Sequence, residues 1–350
     1  MRILLATPGT DVGGAERVVI GLAHALPARG HDVVLWGPAG ALEPELAGAP
    51  VERIVVADRG RSPAGVVEGV ASLAGAIRRM RPAVVHAHNP RVAALATLAA
   101  RAGRGPRRPP VLATFHGVRH AEYRAASALL RGADAVTCVS QDLAAGLRDA
   151  GLDGARIVPN SVAPPAAPDP AALARLDAEL GLRGAPVVVA VGRLVEQKNH
   201  ARLVAAAAEV DARFLIVGDG PLRADLEARV AALGLDGRVT LTGVRRDVPA
   251  LLARADLVVF SSDWEGLPLV ALEALAAGTP VLSTPVEGMR ELPVTIVPPA
   301  ALAEGIARVL AEPGDLGARG RAYVAGHHST EAMLDGYEAL YRELSAARGR

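Results

Sequence analysis

Lysine is almost missing from this 350-residue chain: Lys198 stands alone beside 37 arginines. Asparagine occurs three times, as Asn89, Asn160 and Asn199, aromatic residues make up 3%, and the sole cysteine is Cys138. One thiol excludes an internal disulfide. Its place in the apolar run Ala135-Val136-Thr137-Cys138-Val139 reads as a buried side chain in a protein suited to a reducing cytoplasm. No apolar run reaches the roughly 18 residues of a membrane-spanning helix. The apolar start, Met1 to Ala6, runs directly into Thr7-Pro8-Gly9, too short for a signal-peptide core. A cytoplasmic protein is the expectation.

What is present is small and aliphatic. Half the residues (51%) are hydrophobic, enough for more than one core, and the length suits about two domains. Abundant Ala, Gly, Pro and Arg point to a GC-rich genome, in which lysine and asparagine codons are scarce. A lone lysine under that bias marks a place where a compact ammonium serves and a planar guanidinium does not. The net charge of +1 divides unevenly, +6 over residues 1–165 and −5 over the rest. Arginines cluster at Arg78, Arg79 and Arg81, and at Arg101, Arg104, Arg107 and Arg108. A solvated surface accounts for them. Contact with an anionic membrane or a phosphorylated lipid acceptor is the alternative.

Short β-branched runs alternate with helix-length Ala/Leu stretches. Strands are expected at Ile3–Ala6, Asp32–Trp36, Arg53–Val56, Ala83–Ala87, Val111–Phe115, Ala135–Val139 and Arg156–Val158. A second series follows at Val187–Val191, Phe214–Val217, Val239–Leu241, Leu257–Phe260, Val281–Ser283 and Thr295–Val297. Near-continuous apolar strands separated by helices indicate parallel sheets covered on both faces, an α/β architecture. The series breaks once, at Val162 to Pro170, where four prolines suit neither sheet interior nor helix middle. Two doubly wound domains are expected, residues 1–162 and 163–330. In open parallel sheets ligands bind beyond the carboxyl ends of strands, so polar residues just after strands are the candidates.

After the first strand, Thr7 to Arg17 opens a helix through Gly13 and Gly14, where a backbone can approach a phosphate or sugar. The spacing is not Gly-x-Gly-x-x-Gly, and the second strand ends in Trp36-Gly37-Pro38 with no acid for a ribose; a nicotinamide or flavin enzyme is disfavoured. His86 and His88 share one face of a strand, without a third ligand at metal-site spacing. His116 meets the ligand end of its sheet. In the second half, Val187–Val191 runs into Gly192-Arg193, with Lys198 just before a helix; two cations at a strand mouth form a cradle for a diphosphate. Farther on, Pro268 suits a first helical position and Gly278 a stop. Between them Glu273 is the one ionisable residue of a helix apolar all round, expected to be buried and to need hydrogen-bond partners. Glu265 lies in the loop before that helix, placed to accept from a sugar.

This ordered set resembles the retaining glycosyltransferases of family 4, which have the GT-B fold. The resemblance runs through Gly13-Gly14-Ala15-Glu16-Arg17, Val85-His86-Ala87-His88, Phe115-His116-Gly117, Val139-Ser140 and Val158-Pro159-Asn160. It continues through Val191-Gly192-Arg193 with Lys198, Val217 to Pro221, and Glu265 to Glu273, the family's Glu-x7-Glu signature, followed by Ala276 to Val281. It implies two Rossmann-like domains facing a central cleft, with a last helix (within 331–350) returning to the first.

By the same resemblance, Arg193, Lys198, Glu265 and His116 would serve catalysis. Arg193 and Lys198 would neutralise the departing diphosphate, Glu265 with the amides of Gly266 and Leu267 would hold the donor sugar, and His116 would lie beside it. Glu273 would hold the ribose, Gly13, Gly14 and Gly192 would approach the phosphates, and Val244 would contact the base. The partners implied are a nucleotide-diphosphate sugar and a glycan, lipid-linked or small-molecule acceptor, not nucleic acid. Neither cofactor nor metal is implied, and the chain has no Asp-x-Asp pair. Ser161-Val162 stands where the family usually has Gly-Val-Asp, the Gly-rich segment after Arg290-Glu291 is shortened to Leu292-Pro293, and Leu267 replaces a common phenylalanine. A silent sugar-nucleotide-binding relative is disfavoured by the complete charged set, and a sugar-nucleotide epimerase by the Glu-x7-Glu helix.

Overall fold

The computed structural model describes residues 1–58, 62–102, 108–182 and 184–347; Arg104 and Arg107 lie outside them. The chain divides into two compact units, one formed by Met1–Asn160 with the chain from Glu331 onward, the other by Ser161–Thr330.

In the first unit the strands are β1 (Arg2–Ala6), β2 (Asp32–Gly37), β3 (Glu52–Val55), β4 (Val84–Ala87), β5 (Val111–Phe115), β6 (Ala135–Cys138) and β7 (Arg156–Ile157). They form one parallel sheet in the order β3-β2-β1-β4-β5-β6-β7. The second unit holds β8 (Val187–Val191), β9 (Arg213–Val217), β10 (Val239–Gly243), β11 (Leu257–Phe260), β12 (Val281–Ser283) and β13 (Thr295–Ile296), parallel in the order β10-β9-β8-β11-β12-β13. Each expected strand is present within two residues of its expected ends. Parallel strands buried on both faces need unbroken apolar runs, and those runs were the signal: Ile3, Leu4 and Leu5 are 0% exposed, as are Val187, Val188 and Val189.

Both sheets reverse their winding once, between β1 and β4 in the first and between β8 and β11 in the second. Such a switch point opens a crevice at the carboxyl ends of its two strands. In the first unit those ends lead to Thr7–Gly13 and to His88; in the second, to Gly192–Asn199 and Ser261–Pro268.

Local chemistry sets the helix ends. Ser140 accepts from the Leu143 amide, Asp169 from Ala171 and Asn199 from Arg202, each capping a helix start. Pro168 and its neighbours carry no regular structure, and Pro170 opens a helix at the position where a missing N–H is tolerated. The helix Leu269–Ala277 ends on Gly278 in the left-handed conformation (φ +83°). Pro268 is its N-cap and not its first helical residue, because its backbone is still extended (ψ 127°). The helix Thr330–Ala347 packs within the first unit: Tyr337 and Tyr341 are fully buried, while Arg29–Asp335, His31–Glu338 (3.0 Å) and Arg156–Glu343 (2.5 Å) line its flanks. Among the clustered arginines, Arg79 pairs with Glu52 and Arg108 with Asp134. No helix among the described residues is long and apolar enough to cross a membrane.

Candidate active site

At the second unit's switch point two loops are laced together. Asp263 N–H donates to the Gln197 carbonyl (2.9 Å), and Gln197 Nε2 returns a bond to the Trp264 carbonyl (3.0 Å). Ser261 Oγ donates to the carbonyls of Lys198 and Asn199, and Arg202 reaches the Ser261 carbonyl and Asp263. Asn199 takes a left-handed conformation (φ 42°), caps the following helix and donates to Asp263. Asparagine tolerates that conformation better than most residues, which accounts for one of the chain's three asparagines.

This lacing fixes a charge pair. Lys198 Nζ donates to Glu265 Oε1 at 2.6 Å, and Ser262 Oγ donates to the same oxygen at 2.6 Å. Glu265 is 5% exposed. Its Oε2 has no hydrogen bond among the described residues. One oxygen is thus anchored by two donors and the other is presented. The lysine stem lies across Gly192, where a Cβ would meet Lys198 Cε, Cδ and Cγ at 3.1–3.2 Å. Arg193, beside it, is exposed and has no ion pair among the described residues. Val244, after β10, is 68% exposed. The glycines of Val217-Gly218-Asp219-Gly220 serve packing: a Cβ on Gly218 would meet the Gly192 carbonyl oxygen at 2.1 Å. Glu273 is half-buried and not fully buried as expected, because helical periodicity puts it with Val270 and Ala277 on the one stripe the core leaves partly open.

Gly288 braces the site. At φ +73°, a Cβ there would fall 1.7 Å from the Gly266 carbonyl oxygen. Gly288→Ala should therefore destabilise the protein by about 1–3 kcal/mol through backbone strain and displacement of the Glu265–Leu267 loop. Urea denaturation checks this; an unchanged midpoint contradicts it.

In the first unit, Gly13 is the extended N-cap of the helix Gly14–Ala28. The space a Gly13 side chain would need is filled by the Glu16 carboxylate (2.1 Å from the missing Cβ), while a Cβ on Gly14 would meet nothing. Gly14 therefore faces open space, and Gly13 accommodates its own chain. Three histidines gather at β4 and β5. The ring centroids of His86 and His88 lie 4.0 Å apart, as their shared face requires, and His88 Nδ1 lies 3.2 Å from His116 Nε2. Both His86 nitrogens are engaged, Nδ1 with Tyr341 and Nε2 with Thr114, each at 2.7 Å.

Burial lowers the pKa of His86 to about 3 and of His116 to about 4, and His88 well below the ordinary 6.5. In the second unit burial, then the Lys198 charge, lowers His200 to about 4. Below pH 6.5 the unfolded chain binds protons on these histidines while the folded chain refuses them, so stability must fall as pH falls. Carboxylates add their own loss only from about 4.5 downward. The urea midpoint should thus hold above pH 6.5 and decline between 6.5 and 4.5. A flat midpoint across that window contradicts the assignment.

The comparisons with known proteins fit this geometry. Residues 12–164 match the family model Glycosyltransferase Family 4, and residues 185–312 match Glycosyl transferases group 1. The lipopolysaccharide core biosynthesis glycosyltransferase LpsE of Rhizobium meliloti is 30% identical over 355 residues, covering 94% of this chain and 95% of that protein. The chain belongs to the group 1, family 4 glycosyltransferases. Within this family, 2-deoxystreptamine glucosyltransferase of Streptomyces kanamyceticus is 36% identical over 53% of the chain, which spans about half (54%) of that relative's length. The structure of Anabaena HepE in complex with UDP and glucose superposes with a TM-score of 0.83 at 22% identity, covering 97% of this chain and 99% of that one. That likeness shows the fold: two Rossmann-like domains of the GT-B kind.

Sequence reasoning picked out Lys198 and Glu265, which the fold brings together. It missed Ser262, Gln197 and Asp263, which hold them; a serine three residues before a candidate glutamate carries no signal until the loop's path is known.

Proposed function

We propose that this glycosyltransferase moves a sugar from a nucleotide-diphosphate donor to a glycan, lipid-linked or small-molecule acceptor, with retained anomeric configuration and without a metal. The supporting observation is the anchored pair: Glu265 is held through Oε1 by Lys198 and Ser262, while Oε2 has no partner among the described residues. An ammonium has three N–H donors. Lys198 can keep Glu265 and still donate to a diphosphate. In this reading Lys198 and the exposed Arg193 offset the charge that develops on the leaving diphosphate, the part a metal plays elsewhere.

Glu265 Oε2 accepts from a donor-sugar hydroxyl, and the amides of Gly266 and Leu267 donate to the sugar. Glu273 accepts from the ribose, and Val244 offers an exposed apolar surface to the base. In the second unit Gly192 leaves room for a phosphate; in the first, Gly14 faces open space and His116 offers a ring nitrogen to a substrate oxygen. As the sugar–phosphate bond breaks, an oxygen of the departing phosphate takes the acceptor's proton on the same face. HepE with UDP and glucose supports the donor class, and the names of LpsE and the deoxystreptamine enzyme support a carbohydrate or small polyhydroxylated acceptor. The arginine-rich surface of the first unit would suit an acceptor carried on an anionic membrane.

The test is nucleoside diphosphate release from a panel of nucleotide sugars, with and without acceptors, in the presence of chelator. Acceptor-dependent release that chelator leaves intact, with the donor's anomeric configuration in the product, is the expected result. No release from any donor, or a loss restored by divalent ion, contradicts the reading.

A further inference from the structure

The three histidines of the first unit form a directional chain, and its proton positions can be worked out. Thr137 Oγ1 donates to the Ala113 carbonyl (3.4 Å), so the 2.7 Å contact between Thr114 and Thr137 has Thr114 as donor. Thr114 Oγ1 has then used its proton and accepts from His86 Nε2–H at 2.7 Å. His86 Nδ1 in turn accepts from the Tyr341 hydroxyl, on the C-terminal helix, at 2.7 Å. The Tyr337 hydroxyl, 3.4 Å from Thr114 Oγ1, can donate to the remaining lone pair of that oxygen, so every proton of this buried segment has an acceptor, as buried polar groups require.

His88 comes next. It is 1% exposed, and its ring lies between His86 (centroids 4.0 Å) and His116 (5.5 Å, interplanar angle 21°). Its Nε2 is buried and has no partner among the described residues. A neutral imidazole carries one N–H. If that hydrogen sat on Nε2 it would be an orphaned buried donor, the rarer and costlier defect; a bare acceptor lone pair is better tolerated. The hydrogen therefore sits on His88 Nδ1 and is donated to His116 Nε2, 3.2 Å away. His116, accepting there, carries its own hydrogen on Nδ1. That atom has no partner among the described residues, and the His116 side chain is half-buried.

We infer that His88, held by His86 and the C-terminal helix through Tyr341, is a positioning residue that locks His116 in the Nδ1–H tautomer, so that His116 presents a neutral N–H donor to an oxygen of the substrate. The lowered pKa of His116, about 4, is consistent with a neutral ring at physiological pH. The link to the substrate rests on the proposed transferase reading. The tautomer does not.

Long-range ¹H–¹⁵N spectra of the histidine-labelled protein, with His116 assigned through a His116→Gln variant, test the inference without any donor or acceptor. The expected wild-type signature is hydrogen on His116 Nδ1. In His88→Leu, with folding checked by its melting transition, the Nε2–H form should appear. His88→Asn, whose amide N–H can stand near the lost Nδ1–H, should restore the first form. Transfer by His88→Leu should fall about three- to tenfold in kcat, with most of the loss recovered in His88→Asn. An Nε2–H signature in the wild type, or a tautomer indifferent to both substitutions, overturns the inference. A wild-type chain that shows the expected tautomer and transfers no sugar overturns the functional reading alone.

Discussion

Lys198→Ala is expected to lower kcat by about two orders of magnitude or more, the size associated with loss of one preorganised group facing developing charge. The residue's surroundings explain why a lysine is kept where 37 arginines fill every other basic position. Its stem runs flat across Gly192 and its ammonium ends 2.6 Å from an anchored carboxylate. A guanidinium is longer and planar, and would have to push Glu265 off Ser262 to fit. Lys198→Arg should therefore recover little of the turnover lost in Lys198→Ala. Steady-state kinetics decide it: near wild-type kcat in either variant contradicts the assignment. The melting transition should fall as well, by the equivalent of roughly 1–3 kcal/mol, because the variant leaves a carboxylate that is 5% exposed without its cation.

Glu265→Ala is expected to cost a similar factor in kcat, and stability as well. Removing a carboxylate that is 5% exposed leaves the ammonium and the Ser262 hydroxyl without their common acceptor. Loss of one partner of a buried pair costs about 3–5 kcal/mol, and less where one side reaches water, so roughly 1–3 kcal/mol is expected here. Glu265→Gln keeps an acceptor oxygen for Ser262 and should recover stability better than turnover. Since Lys198 and Glu265 act as one unit, the double alanine variant should be little slower than the worse single one. Multiplying losses in the double variant would mean that the two residues work independently.

The fold was legible because parallel strands advertise themselves. Val187–Val191 and Val111–Phe115 are runs that only a doubly covered sheet can bury, and both stand as expected. The site was legible in part. Rarity pointed to Lys198, and an isolated charge in an apolar helix pointed to Glu273. Two features could not be read in advance. That Lys198 would be paired with Glu265, and not waiting as a bare cation, depends on the loop lacing through Gln197, Asp263 and Ser261, contacts between residues some 60 positions apart. That Gly13 accommodates Glu16 while Gly14 faces open space depends on one side-chain rotamer, which no spacing rule encodes.

The most direct measurement is a crystal structure of the protein with a nucleoside diphosphate bound. The terminal phosphate is expected within hydrogen-bond distance of Lys198 Nζ, with Glu265 still anchored through Oε1 by Ser262. A diphosphate held elsewhere in the molecule, with Lys198 bonded to Glu265 alone, would contradict the account.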